Sequence, residues 1–199
     1  RSSSSVMVRL NNDDEQELGF LLNTGARIPA LGLGTWQTGD GDLCKNAVKV
    51  ALEAGYRHLD CAHLYGSEEE VGKALLEALI NPSHGTLRRE HLFVTSKILC
   101  SGMAPKRVES ALKVSLKNLN LSYLDLFLIH WPSSSHFFDA TEPVSKEQKF
   151  SPRVEEVWRA MERLMEKGLV RAIGVSNFSL SQVQQLLQFA KIIPAVNQV

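Results

Sequence analysis

Six short apolar runs, at 31–36, 58–61, 92–96, 124–129, 170–175 and 195–199, alternate with segments of helical spacing. The runs are apolar on both faces rather than on every second residue, the pattern of strands buried within a parallel sheet. The intervening helices are marked by their ends. Asp42 can cap one that Gly55 closes, with Leu43, Ala47, Val50, Ala51 and Ala54 forming its inward face. A second starts at Ser67, followed by Glu68, Glu69 and Glu70 at the positive helix end. Pro105 suits the first turn of a third, which carries Val108, Ala111, Leu112, Ser115, Leu116 and Leu119. A fourth covers 154–167, with Val157, Met161, Leu164 and Met165 inward, and Gly168 closes it. A fifth follows Ser179 and turns Val183, Leu186, Leu187 and Ala190 inward. Strand–helix alternation throughout means an α/β fold with a parallel sheet, either doubly wound or closed into a barrel. Ahead of it, two apolar stretches flank Asn23-Thr-Gly25, a hairpin signal.

Composition narrows the function classes. Lysine and arginine number 22 against 22 aspartates and glutamates, so no basic field favours nucleic acid or anionic membrane. At 44% hydrophobic residues the chain is ordered over most of its length, and no apolar run approaches the roughly 20 residues of a bilayer crossing. Cys44, Cys61 and Cys100 cannot all pair and lie in no CxxC motif, which favours reduced thiols and a cytoplasmic location. Residues 1–17 read as a disordered polar tail. Their Ser2 to Ser5 run has the look of a transit peptide, but Asp13, Asp14 and Glu15 do not. The segment 132–152, with His136, Phe137 and Phe138, is long enough to be a functional lid. The final residues stop within a strand pattern, so the chain is expected to be a piece of something larger.

Reactive or hydrogen-bonding residues stand at or just beyond the carboxyl end of each run: Thr35 and Trp36, then Asp60, Lys97, His130, and Ser176 with Asn177, while the last run contains Asn197 and Gln198. In a closed α/β barrel these ends converge on one rim. The residue types point to proton transfer. A tyrosine of pKa about 10 becomes a usable acid beside an ammonium, and a carboxylate keeps that ammonium charged. Asp60, Lys97 and Tyr65 can form such a set, and His130 can orient a carbonyl oxygen. Protonating a new alkoxide implies an external hydride source, and Ser176, Asn177 and Gln198 match a nicotinamide carboxamide. Rival readings have less support. His58, Cys61 and His63 lack a second ligand pair with zinc-site spacing, so no metal is expected. Gly174-Val-Ser-Asn-Phe178 is not a GxSxG elbow. Gly32-Leu-Gly34 lacks the third glycine of a dinucleotide fingerprint. A Schiff-base role for Lys97 stays open as an enzymatic alternative.

These residues, in this order, resemble the aldo-keto reductase family, and its plant cytosolic branch in particular. The resemblance is carried by Leu33-Gly-Thr-Trp36, Leu59-Asp-Cys-Ala-His-Leu-Tyr-Gly66 and Val94-Thr-Ser-Lys97. It continues through Tyr123-Leu-Asp-Leu-Phe-Leu-Ile-His-Trp-Pro132, Gly168-Leu-Val-Arg-Ala-Ile-Gly-Val-Ser-Asn-Phe178 and Pro194-Ala-Val-Asn-Gln198. It implies a (β/α)8 TIM barrel, here cut after strand six, with the hairpin closing its base and residues 18–199 forming the partial barrel. It also implies NADPH-dependent reduction of an aldehyde or ketone by a protein that is monomeric when complete. Tyr65 would be the general acid, Lys97 and Asp60 its tuning pair, and His130 the carbonyl-orienting residue. Ser176, Asn177 and Gln198 would hold the carboxamide, Thr35 and Trp36 would lie along the cofactor with Asp60, and Trp36, His130 and Trp131 would line the substrate pocket.

Two departures stand out: Ser67 replaces the family's usual Asn, and Leu99 replaces a common Trp, which should widen the pocket. The family's last two strands and its 2′-phosphate-binding segment have no counterpart in these residues. An open six-stranded barrel exposes two edges, so this chain alone is expected to be poorly soluble or inactive, and a non-catalytic, partner-binding isoform is the alternative reading.

Overall fold

A computed structural model describes residues 18–38, 42–80, 87–99, 103–132 and 154–199. The tail at 1–17, Cys100 and nearly all of the expected lid segment lie outside the described residues. The chain opens with an antiparallel hairpin, β1 (Gly19–Leu21) and β2 (Arg27–Pro29). There follow β3 (Leu33–Gly34), α1 (Asp42–Glu53), β4 (His58–Asp60) and a 3-10 turn (His63–Tyr65). Next come α2 (Glu68–Ile80), β5 (Phe93–Ile98), α3 (Val108–Asn118) and β6 (Leu126–Ile129). The series ends with α4 (Val154–Glu166), β7 (Ile173–Ser176), α5 (Leu180–Leu187) and β8 (Asn197–Gln198). Strands β3 to β8 form one parallel sheet in sequence order, so each helix is a crossover to the neighbouring strand.

The doubly apolar runs are explained by two cores. Leu59, Val94, Phe127, Ile129, Ile173 and Val175 face outward and meet the helices in the larger cluster. The alternate residues Phe93, Leu126, Leu128 and Ala172 face the concave side, where Leu22 and Ile28 of the hairpin pack on them. Phe93 and Leu126 are the first residues of their strands, so the hairpin fills the amino-terminal end of the curl. Its turn is also fastened to the stretch before β8, where the Asn23 side-chain amide donates to the Ile193 carbonyl at 2.9 Å.

Two helix faces differ from the sequence expectation. On α1 the buried set is Cys44, Val48, Ala51 and Leu52, while Leu43 and Val50 are 66% and 62% exposed. Both sets satisfy helical spacing. The sheet selects the first because β3 is an edge, with no neighbour beyond it among the described residues for Leu43 and Val50 to meet. On α5 only Leu186 is fully buried, and Leu187 is exposed near the other edge, β8. The third helix begins at Val108; Pro105 lies in the turn that precedes it.

Candidate active site

Side-chain alternation on a strand decides which polar residues reach the concave face. His58 and Asp60 on β4, Thr95 and Lys97 on β5, and Leu128 and His130 at the end of β6 share inward parity with Gly174 and Ser176 on β7 and Gln198 on β8. Leu59, Val94, Ser96 and Phe127 take the other. Because all six strands run parallel, the last inward residue of each lies on the same rim. Register tightens this further: Asp60 pairs with Thr95, Lys97 with Leu128, and Ser176 with Gln198.

Lys97 is fully buried, and its ammonium has three N–H donors to satisfy. It donates to Asp60 Oδ1 at 2.8 Å, to the Cys61 carbonyl at 3.1 Å and to the Tyr65 hydroxyl at 3.1 Å. A charge this deep is tolerable only when paired and hydrogen-bonded, which this set achieves. Tyr65 comes from the 3-10 turn, which Gly66 ends in the left-handed region at φ 68. The His130 ring meets that of Tyr65 edge-on, with centroids 5.7 Å apart. His130 is buried, and its Nδ1 has no hydrogen-bond partner among the described residues. Burial, and secondarily the Lys97 ammonium, push its pKa down to about 4, with Asp60 acting in the opposite sense. The imidazole is therefore neutral at ordinary pH.

The rest of the rim is ordered around these groups. Trp36 is 66% exposed, its ring 6.4 Å from that of Tyr65, and Trp131 stacks on His130 at the same centroid distance. Asn177 takes a positive φ of 61, which asparagine tolerates, and its amide donates to the His130 carbonyl at 2.9 Å and to Ser176 Oγ at 3.0 Å. Ser176 Oγ in turn donates to the Gln198 carbonyl at 2.9 Å. Thr35 is buried with its hydroxyl donating to the Asp60 carbonyl at 3.1 Å, and Ser67 donates to the Thr35 carbonyl at 3.1 Å. Ser67 thus links the start of α2 to the end of β3.

His58, Cys61 and His63 diverge: His58 bonds Thr95, Cys61 is buried with its thiol pKa raised by desolvation, and His63 faces Glu68. Leu99 lines a cavity of about 260 Å³ together with His63, Lys97, Arg107 and Ser110; neither Tyr65 nor His130 borders it. Sequence reasoning missed the Cys61 carbonyl and the burial of Glu68. An acidic residue beginning a helix reads as solvent-facing, and nothing in its spacing hinted otherwise.

A parallel strand–helix sheet curled around a polar rim, with a buried lysine hydrogen-bonded between a carboxylate and a phenol, defines a protein of α/β-barrel architecture. The model of the Aldo/keto reductase family matches residues 30–199, and the chain belongs to that family. It is 46% identical over 184 residues to Aldo-keto reductase family 1 member A1 of Bos taurus, covering 90% of this chain and 55% of that protein. It is 44% identical over 184 residues to Aldo-keto reductase family 4 member C11 of Arabidopsis thaliana, covering 92% of this chain and 56% of that protein. Among solved structures, it superposes on a Bombyx mori aldo-keto reductase in complex with NADP. The TM-score is 0.77 at 38% identity, covering 90% of this chain and 56% of that one. The chain thus spans little more than half the length of the relatives it matches.

Proposed function

We propose that these residues belong to an NADPH-dependent reductase of aldehydes or ketones in which Tyr65 is the general acid. The observation that carries the reading is the Lys97 ammonium donating at once to Asp60, the Cys61 carbonyl and the Tyr65 hydroxyl. A cation 3.1 Å from the hydroxyl oxygen offsets the charge that develops there as the proton is handed to the carbonyl compound. Asp60, at 2.8 Å, holds the lysine side chain aimed at the phenol. A neutral His130 can donate a hydrogen bond to a carbonyl oxygen without competing as an acid, so orientation and protonation fall to different groups.

The rim fits a nicotinamide cofactor in its donor set: Ser176, Asn177 and Gln198 stand at adjacent strand ends with hydroxyl and amide groups that match a carboxamide. These residues would hold that group, and Trp36 offers an exposed ring on the same rim. Trp36 and Trp131, on either side of Tyr65 and His130, would line the space for the carbonyl compound. The cofactor supplies hydride when bound. An imine-forming lysine must be neutral and free to attack, whereas every N–H of Lys97 is already engaged, which favours the reductase over the Schiff-base alternative.

In the full-length protein, Tyr65→Phe should reduce aldehyde-dependent NADPH consumption by about a hundredfold or more, the scale of a lost general acid. NADPH affinity, read by fluorescence quenching, should stay within about twofold, since the hydroxyl faces Lys97 rather than the carboxamide-binding groups. Turnover retained in the phenylalanine variant overturns the acid role.

A further inference from the structure

Asp60 and Lys97 stand on hydrogen-bonded neighbours, so the sheet itself fixes their separation. Tyr65 does not share that security. Its turn lies outside the sheet and closes on itself through the bonds from Tyr65 N to the Ala62 carbonyl and from Gly66 N to the His63 carbonyl. Something must fix this turn against β5, because a displacement of about 1 Å between reacting groups can cost about a hundredfold in rate.

We propose that Glu68 is the positioning residue that does so, coupling the turn of Tyr65 to the strand of Lys97 from behind the sheet. The inference rests on the reductase reading. Glu68 is the first residue of α2, and only 2% of it is exposed. Its Oε1 accepts from Ser96 Oγ at 2.8 Å, and Ser96 is the outward-facing neighbour of Lys97 on β5. Its Oε2 accepts from the Asn118 side-chain amide at 3.2 Å and lies 3.2 Å from His63 Nδ1, two residues before Tyr65 in the same turn. One carboxylate therefore joins the turn, the strand and the end of α3.

Neither lysine nor arginine is among these partners. Burying a carboxylate is costly, and an apolar side chain would serve packing alone better. What the carboxylate adds is direction: two oxygens, each aimed at a different element, with the positive end of α2 favouring the charge. The surroundings are shaped to keep it there. Gly72, one turn on, has no side chain to hold Asn118 away; a Cβ there would come within 2.1 Å of the Asn118 carbonyl oxygen.

The test compares Glu68→Ala, Glu68→Gln, Ser96→Ala and Tyr65→Phe with the wild type in the full-length protein. Glu68→Ala should lower kcat by about tenfold or more while NADPH Kd stays within about twofold, because positioning is lost and cofactor contacts are not. Glu68→Gln keeps the shape and one acceptor, and should recover kcat to within about threefold of wild type. Should the alanine variant fail to fold, Ser96→Ala, which removes a single hydroxyl, carries the test with a smaller fall in kcat. Amide exchange, which needs no turnover, should quicken at Tyr65 and Gly66 in Glu68→Ala beyond any global change in stability. Unchanged kcat together with unchanged exchange at 63–66 overturns the proposal, as does a loss that merely follows Tm. Wild-type rates in Tyr65→Phe would instead defeat the reductase reading, whatever Glu68 does.

Discussion

His130 couples stability to pH through its surroundings. Its pKa falls from the usual 6.5 to about 4 in the fold, because burial and the Lys97 ammonium both oppose a second charge. The unfolded chain therefore binds a proton in the interval where the folded one does not. Stability from this group is complete above pH 6.5 and declines as pH falls toward about 4. The denaturant midpoint should show that slope, and His130→Gln should flatten it relative to the wild type. A titration of the ring by NMR should give a midpoint near 4; one near 6.5 would contradict the desolvated placement. Asp60, Lys97, His130 and Ser176 are legible in the sequence because each stands at or near the carboxyl end of an apolar strand. Tyr65 was not legible from periodicity, since it sits in a turn; its motif and the chemistry of a lysine nearby brought it in. Glu68 escaped both routes, because a helix-initial glutamate has a sufficient explanation in the helix dipole.

The elements were legible in kind and order, and less so in orientation. On α1, Leu43–Val50 and Cys44–Val48 are equally good stripes, and nothing local chooses between them; the absence, among the described residues, of a strand beyond β3 does. Contacts between helices decide other positions that composition cannot. Gly72 is one. Alanine is the better helix former by about 1 kcal/mol. Its methyl group, however, would meet the backbone of Asn118 and Leu119 at 2.1 and 2.9 Å, and backbone cannot rotate aside. The clash outweighs the propensity, so Gly72→Ala should destabilise the protein by about 2 kcal/mol, read from urea unfolding. A neutral or stabilising result would mean that α2 and α3 can separate without loss.

At the scale of the molecule, the sheet order leaves β3 and β8 with one strand neighbour each among the described residues, so both flanks present edge backbone. Apolar side chains accompany them: Leu43 and Val50 beside β3, and Leu180, Ile193 and Val199 near β8 are all more than half exposed. With 22 positive and 22 negative side chains, no net charge opposes association. The 199-residue chain alone should therefore self-associate, giving a light-scattering mass above that of one copy at micromolar concentration; a stable single copy would show that both flanks are protected in solution. Among the described residues no helix is long and apolar enough to cross a membrane. The hairpin clasp sets an order on the way this shape is reached. Asn23 and Ile193 are 170 positions apart, so the plug at the amino-terminal end can lock only after the intervening units have been laid side by side. A link spanning that much chain carries a large closure entropy and makes the plug a latecomer, the last piece to seat rather than the seed of assembly.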